Sequence, residues 1–254
     1  MTRVQTSGTE QRVAVLAYHK IGDPPPGDWN DWFHVPEKTF ADHLRFLADE
    51  GWSVIDIDHL LAGLEDPLAI PARSALITFD DADRSLFTTA LPHLTNFGFP
   101  AVVFVATDFI GGANEFDTGD QPTERICGWD ELRELASHRV SIEAHSASHR
   151  RFSKLGGAAL ADELRRPKHV LEDRLARPVR AFAYPFGDVG RDPQRTEDMV
   201  ADAGYRAAFL YGGACPWSLP VADRYRLGRL AMGRDTDLAH VPGMRCSVPS
   251  RSSH

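Results

Sequence analysis

The sequence predicts an α/β fold on a parallel sheet, open or closed into a barrel. Short apolar runs alternate with amphipathic stretches along most of the chain, and strand–helix units recur roughly every 20–45 residues. The length agrees, since 254 residues with 43% hydrophobic content can bury the core of one such barrel.

In chain order, Val13–Tyr18 reads as a buried strand that ends at His19, and the loop Pro24–Gly27 follows. A helix is expected over Thr39–Glu50, with Phe40, Leu44 and Leu47 on one face and Gly51 as its stop. Val54–Ile57 and Ser74–Phe79 read as strands, Leu86–Phe97 as helix, Ala101–Val105 as strand, Trp129–Ala136 as helix and Val140–Ala144 as strand. Leu160, Leu164, Leu171 and Leu175 form a helical stripe that Pro167 should kink or break. Ala181–Tyr184 (strand), Thr196–Ala203 (helix) and Arg206–Tyr211 (strand) complete the pattern. The polar, glycine-containing segment Asp108–Cys127 reads as a functional loop, and Pro242–His254 as a frayed tail. One domain is expected over 1–254, with its core at about 13–235.

Lys and Arg number 28 against 36 Asp and Glu, a formal net charge of −8. Nucleic acid and anionic lipid need a basic footprint, so neither is expected as the main partner. No apolar run approaches the roughly 18 residues of a transmembrane helix, and Met1–Glu10 lacks the apolar core of a secretory signal. Cys127, Cys215 and Cys246 are too scattered for a disulfide framework or a metal knuckle. A cytoplasmic protein is the resulting expectation. The oligomeric state stays open.

Chemistry concentrates at strand ends, where parallel sheets place their active face. Thr78-Phe79-Asp80-Asp81 closes one apolar strand, and two adjacent carboxylates there need cationic compensation. Alone, the pair reads as a solvated turn or helix cap. His145-Ser-Ala-Ser-His149 follows a second strand, at a spacing that lets both imidazoles converge on one metal. With Asp81 they make a two-histidine, one-carboxylate set with open positions for water and substrate. It suits Zn²⁺, with Co²⁺ or Ni²⁺ as alternatives; iron(II) oxygenases use the same ligand types. Phe182-Ala-Tyr-Pro-Phe-Gly187 closes a third strand, where Gly187 permits close backbone approach to a ligand.

On these residues the chain resembles the polysaccharide deacetylase family (the NodB-homology domain, carbohydrate esterase family four) over about residues 13–230. Thr78–Asp81, His145–His149 and Phe182–Gly187 match three of its motifs. The last of these, with Tyr18-His19, is most similar to the branch acting on bacterial exopolysaccharide or related amino sugars. The resemblance implies a distorted, partly open (β/α) barrel and removal of N-acetyl groups from an amino sugar of a polysaccharide, oligosaccharide or precursor. It implies Asp81, His145 and His149 as ligands of a divalent metal, Asp80 as general base and the backbone N–H of Phe186 as oxyanion donor. O-deacetylation would use the same machinery. A non-sugar amidase or deformylase on this fold, or an inactive carbohydrate-binding relative, are the alternative readings.

Three departures stand out. Ala183 occupies the position where many members place an arginine that orients the base, and Arg180 falls elsewhere on the strand. Ala82 replaces the usual glycine after the two aspartates. The late Leu238-Ala-His240 does not end an apolar strand, so His19 is preferred to His240 as the acid or site organiser. Tyr184, Pro185 and Trp32 are expected to touch substrate, and Trp29 and Phe33 are aromatic candidates for stacking on sugar or clamping the loop. His34 is read as site-lining or surface, Glu115 and Asp117 chiefly as solvated charges, and Cys127 and Cys215 as small core residues.

Overall fold

A computed structural model describes residues 11–245; the segments 1–10 and 246–254, including the opening stretch and most of the expected tail, lie outside the described residues. The elements are β1 (Arg12–Tyr18), β2 (Lys20–Ile21), β3 (His34–Val35), α1 (Glu37–Asp49), β4 (Ser53–Val54), α2 (Ile57–Glu65), β5 (Arg73–Asp80), α3 (Leu91–Phe97), β6 (Ala101–Val105) and α4 (Trp129–Ser137). They continue with β7 (Val140–Ala144), α5 (Gly157–Leu175), β8 (Ala181–Ala183), α6 (Pro193–Asp202), β9 (Ala207–Phe209), β10 (Trp217–Ser218) and β11 (Leu230–Ala231).

The main sheet runs β10-β1-β5-β6-β7-β8-β9, and every neighbour pair from β1 to β9 is parallel. It curls into a half-barrel whose two edges are spanned by one late segment. Leu227 bridges Phe209 at the β9 edge, and β11 then lies on β1, pairing Leu230 with Leu16. Alternation along each strand divides the core. Leu16, Ile77 and Val103 face the outer helices, with Phe40, Leu44, Leu132, Leu164 and Leu171. Val15, Leu76, Val102, Phe104 and Phe209 face the barrel interior.

Three expectations change here. Only Ser53–Val54 pairs as a strand, because Asp56 accepts a bond from His59 N–H (2.9 Å) and starts helix α2. Ile57, Leu60 and Leu61 then pack into the interior cluster, a helical spacing overridden in the sequence by the β-branched run before it. The break expected at Pro167 does not occur, and α5 runs through it. Its buried face, Leu160, Leu164, Pro167 and Leu171, outweighs the one backbone bond that proline removes. The start of the expected tail is docked: Met244 is buried, and its carbonyl accepts from Trp52 Nε1 (2.9 Å) and Arg73 Nη2 (2.7 Å). No helix among the described residues is long and apolar enough to cross a membrane.

Between β7 and β8 the ladder has one paired position, Ala144 with Phe182. Glu143, fully buried, adds to it by accepting from the N–H groups of Arg180 (2.6 Å) and Ala181 (2.8 Å). Burial lifts its carboxyl to about 7 against the pull of those bonds. An unfolded glutamate ionises near ~4.3, so between that pH and 7 only the unfolded chain loses this proton. Stability from this group therefore falls as pH rises through that window and is level above it. Glu143→Gln keeps an acceptor for both N–H groups, and its stability relative to the native chain is expected to rise between pH 4.5 and 8. Urea titrations at the two pH values check this; an equal difference at both would contradict it.

Candidate active site

The cleft opens at the carboxyl ends of the parallel strands, where β5, β7, β8 and β9 deliver Asp80 and Asp81, His145, Phe186 and Tyr211 in turn. His19, Phe33, Asp117, Gln121 and His149 complete its wall. Its cavity volume is about 70 Å³. A larger hollow of about 360 Å³ beside Trp217, Pro220 and Leu227 holds no comparable cluster of histidines and carboxylates.

Asp81, His145 and His149 are all buried, and one ligand atom of each lies within 4.8 Å of the others. Asp81 Oδ1 is 3.2 Å from His149 Nε2 and 3.5 Å from His145 Nε2, yet accepts an aligned hydrogen bond from neither. Such an orphaned buried carboxylate oxygen facing two imidazole nitrogens fits a divalent cation, and the donor set is one that zinc favours. His145 Nδ1 donates to the carbonyl of Ala183 (2.8 Å), which leaves Nε2 as the free lone pair. Burial lowers its pKa to about 4 despite the nearby aspartates, so it is neutral at neutral pH. Burial pushes Asp81 upward, but the histidines outweigh it and hold the carboxyl well below the usual range.

Asp80 has a different partner. Arg229, 0% exposed, grips it with Nη1 on Oδ1 and Nη2 on Oδ2, each at 2.7 Å. The guanidinium is fixed in turn by the Leu210 carbonyl (2.7 Å) and Thr78 Oγ1 (3.1 Å). Burial raises the Asp80 pKa, but Arg229 and the flanking histidines more than reverse that. Asp80 thus takes its guanidinium from the segment that bridges the sheet edges rather than from position 183, which is Ala183. The sequence signal of Arg229 is a lone charge in Leu227-Gly-Arg-Leu-Ala231, a stretch otherwise apolar. Arg180 sits apart, paired with Asp58.

The turns that present these groups are strained. Among the described residues seven non-glycine positions have positive φ, and Asp81, Ala82, Ser146, His149 and Phe186 are five of them. Ala82, at φ 58°, holds a conformation that a glycine would adopt without the Cβ penalty. Glu163 on α5 supports the histidine loop by accepting from Ala147 N (2.9 Å), Ser148 N (2.8 Å) and Ser148 Oγ. Sequence reading missed it because a buried glutamate on a helix looks like a solvent-facing one.

His19 lies in the cleft, its Nε2 3.9 Å from both Asp80 and Asp81 and its ring edge-on to Phe33 and Tyr211. Burial lowers its pKa although both aspartates oppose this. His240 is 84% exposed and paired with Asp237, away from the cleft. Tyr184 is not a cleft residue: it is fully buried between Phe152 and Phe182, because its side chain alternates to the helix side of the sheet. Pro185 is buried too, and shapes the turn that presents Phe186. Trp32 stands at the rim against Phe33 and Tyr211, while Trp29 is 38% exposed. His34 is neither lining nor surface but buried against Glu124 (3.2 Å). Asp117 lines the cleft, its pKa lifted to about 6 by burial and the Asp81 charge, whereas Glu115 is exposed. Cys127 is buried and Cys215 half-buried, and burial pushes their thiols up to about 12 and about 11.

Comparison with known proteins gives the family to which this fold and cleft belong. The polysaccharide deacetylase sequence profile matches residues 69–208, and the chain belongs to that family. Poly-β-1,6-N-acetyl-D-glucosamine N-deacetylase of Staphylococcus epidermidis is 25% identical, across 87% of this chain and 78% of its own. YxkH of Bacillus subtilis is also 25% identical, across 77% of this chain; the match spans 63% of that relative, less than two thirds. A de-N-acetylase from Aggregatibacter actinomycetemcomitans superposes with a TM-score of 0.76 at 17% identity, over 92% of this chain and all of that one. IcaB from Ammonifex degensii gives 0.73 at 22%, over 87% and 92%. Both share the curled half-barrel fold.

Proposed function

We propose that this chain is a metal-dependent N-deacetylase of an acetamido sugar in a polysaccharide, oligosaccharide or precursor, releasing acetate and a free amine. The observation that carries the reading is the pairing of two differently engaged carboxylates. Asp80 is clamped by Arg229, and Asp81 faces His145 and His149. Asp81, His145 and His149 would hold a divalent ion, zinc by preference. When bound, it supplies a Lewis acid for the acetamide carbonyl and acidifies water.

The chain's own groups do the rest. Asp80, ionised and oriented by Arg229, takes the proton of the attacking water. The Phe186 backbone N–H, set by its left-handed turn, stabilises the oxyanion. His19 Nε2, 3.9 Å from Asp80, takes up the proton that Asp80 removed from water and passes it to the departing nitrogen, so the imidazole is neutral before and after. The rings of Phe33 and Tyr211, with Trp32 at the rim, offer faces to the sugar.

Acetate release from N-acetylated oligosaccharides, measured beside release from small amides, tests this reading. Turnover of the sugars is expected, with kcat about 10²- to 10⁴-fold lower in His19→Ala and unchanged in His240→Ala. Turnover of small amides alone would replace the reading with a non-sugar amidase. Full activity in His19→Ala with its metal intact would remove that residue from the mechanism.

A further inference from the structure

The segment between β6 and α4 forms one wall of the cleft and is held there by a buried cation. Lys20, 4% exposed, forms an ion pair with Glu124 Oε2 (2.6 Å) and donates to Gln121 Oε1 (2.5 Å). Glu124 also meets His34 Nε2 (3.2 Å), and buried Asn114 staples the loop to itself through Pro122 O (3.0 Å) and Glu124 N (2.7 Å). An ammonium can only donate, so Lys20 fixes which way the Gln121 amide points: its oxygen faces the lysine and its NH₂ remains for the cleft it lines.

Asp117 stands on the same wall and forms no ion pair with any described residue, unlike Asp80 and Asp81. The wall therefore presents one strong acceptor beside one fixed donor. Neighbouring hydroxyls of a pyranose ask for that combination, since each can donate one bond and accept another. An acetyl group alone asks for neither.

We propose that Asp117 and Gln121 are the residues that recognise the ring hydroxyls of the acetylated sugar, Asp117 accepting from one and the Gln121 amide donating to its neighbour. Lys20 is the positioning residue that holds the glutamine amide. The inference rests on the deacetylase reading and adds the part of the substrate that is recognised.

The test compares an N-acetylglucosamine oligosaccharide with 4-nitrophenyl acetate, which carries the acetyl group and no hydroxyls. Asp117→Ala and Gln121→Ala are expected to lower kcat/KM on the oligosaccharide about 10- to 100-fold, chiefly through KM, and to leave the ester within about twofold. Lys20→Met should reproduce the Gln121→Ala pattern and Lys20→Arg should rescue it, because arginine restores the buried donor. Unchanged oligosaccharide kinetics in Asp117→Ala and Gln121→Ala, or equal losses on both substrates, would overturn the proposal. Native enzyme that cleaved the ester and no acetylated sugar would instead defeat the deacetylase reading, and this proposal with it.

Discussion

Arg229→Met is expected to lower stability by about 3–5 kcal/mol, because it leaves the buried Asp80 carboxylate without its cation. Both Asp80 oxygens are held by that guanidinium at 2.7 Å, and Asp80 is 2% exposed. Methionine fills much of the volume, so the loss is one of charge compensation rather than of packing. The double variant Arg229→Met, Asp80→Asn removes the stranded charge and should recover much of the loss. Linkage gives a second signature. Asp80 has a depressed carboxyl in the folded state, so its contribution is present above the ordinary aspartate range and is lost as pH falls through the folded value. Urea unfolding of the native chain and these two variants at neutral and acid pH measures both effects. A single variant as stable as the native chain would show that the pair does not anchor the site.

Asp80→Asn is expected to reduce kcat on an acetylated oligosaccharide by about 10²- to 10⁴-fold while metal content stays as in the native enzyme. Asparagine retains an oxygen for one Arg229 N–H but has no basicity for the water proton. Asp80 lies outside the Asp81, His145 and His149 group, so bound metal should be unaffected. Full turnover in this variant would remove Asp80 as the base. Loss of metal in step with loss of activity would make it a member of the metal site instead.

The strand ends were legible because each couples an apolar run to a chemically unusual terminus. Asp80 at the end of β5, Asp81 just after it and His145 just after β7 fall where the pattern places them. What escaped was side-chain direction over long separations. Arg229 reaches Asp80 across 149 positions, and Lys20 meets Gln121 across 101. No local period encodes such contacts. Tyr184 was misread for a related reason: position within a motif does not state which face of a short strand the ring takes. Helix α2 carried a readable signal in Asp56 and the Ile57, Leu60, Leu61 spacing, masked by the β-branched residues beside it.

The central claim is that Asp81, His145 and His149 hold an ion without which the acetamide is not hydrolysed. Acetate released from an N-acetylated oligosaccharide, measured against metal content through chelation and add-back, tests it most directly. Release is expected to fall to background as metal is stripped and to return with zinc, cobalt or nickel in the native chain but not in His149→Ala. Undiminished release after complete chelation would contradict the claim.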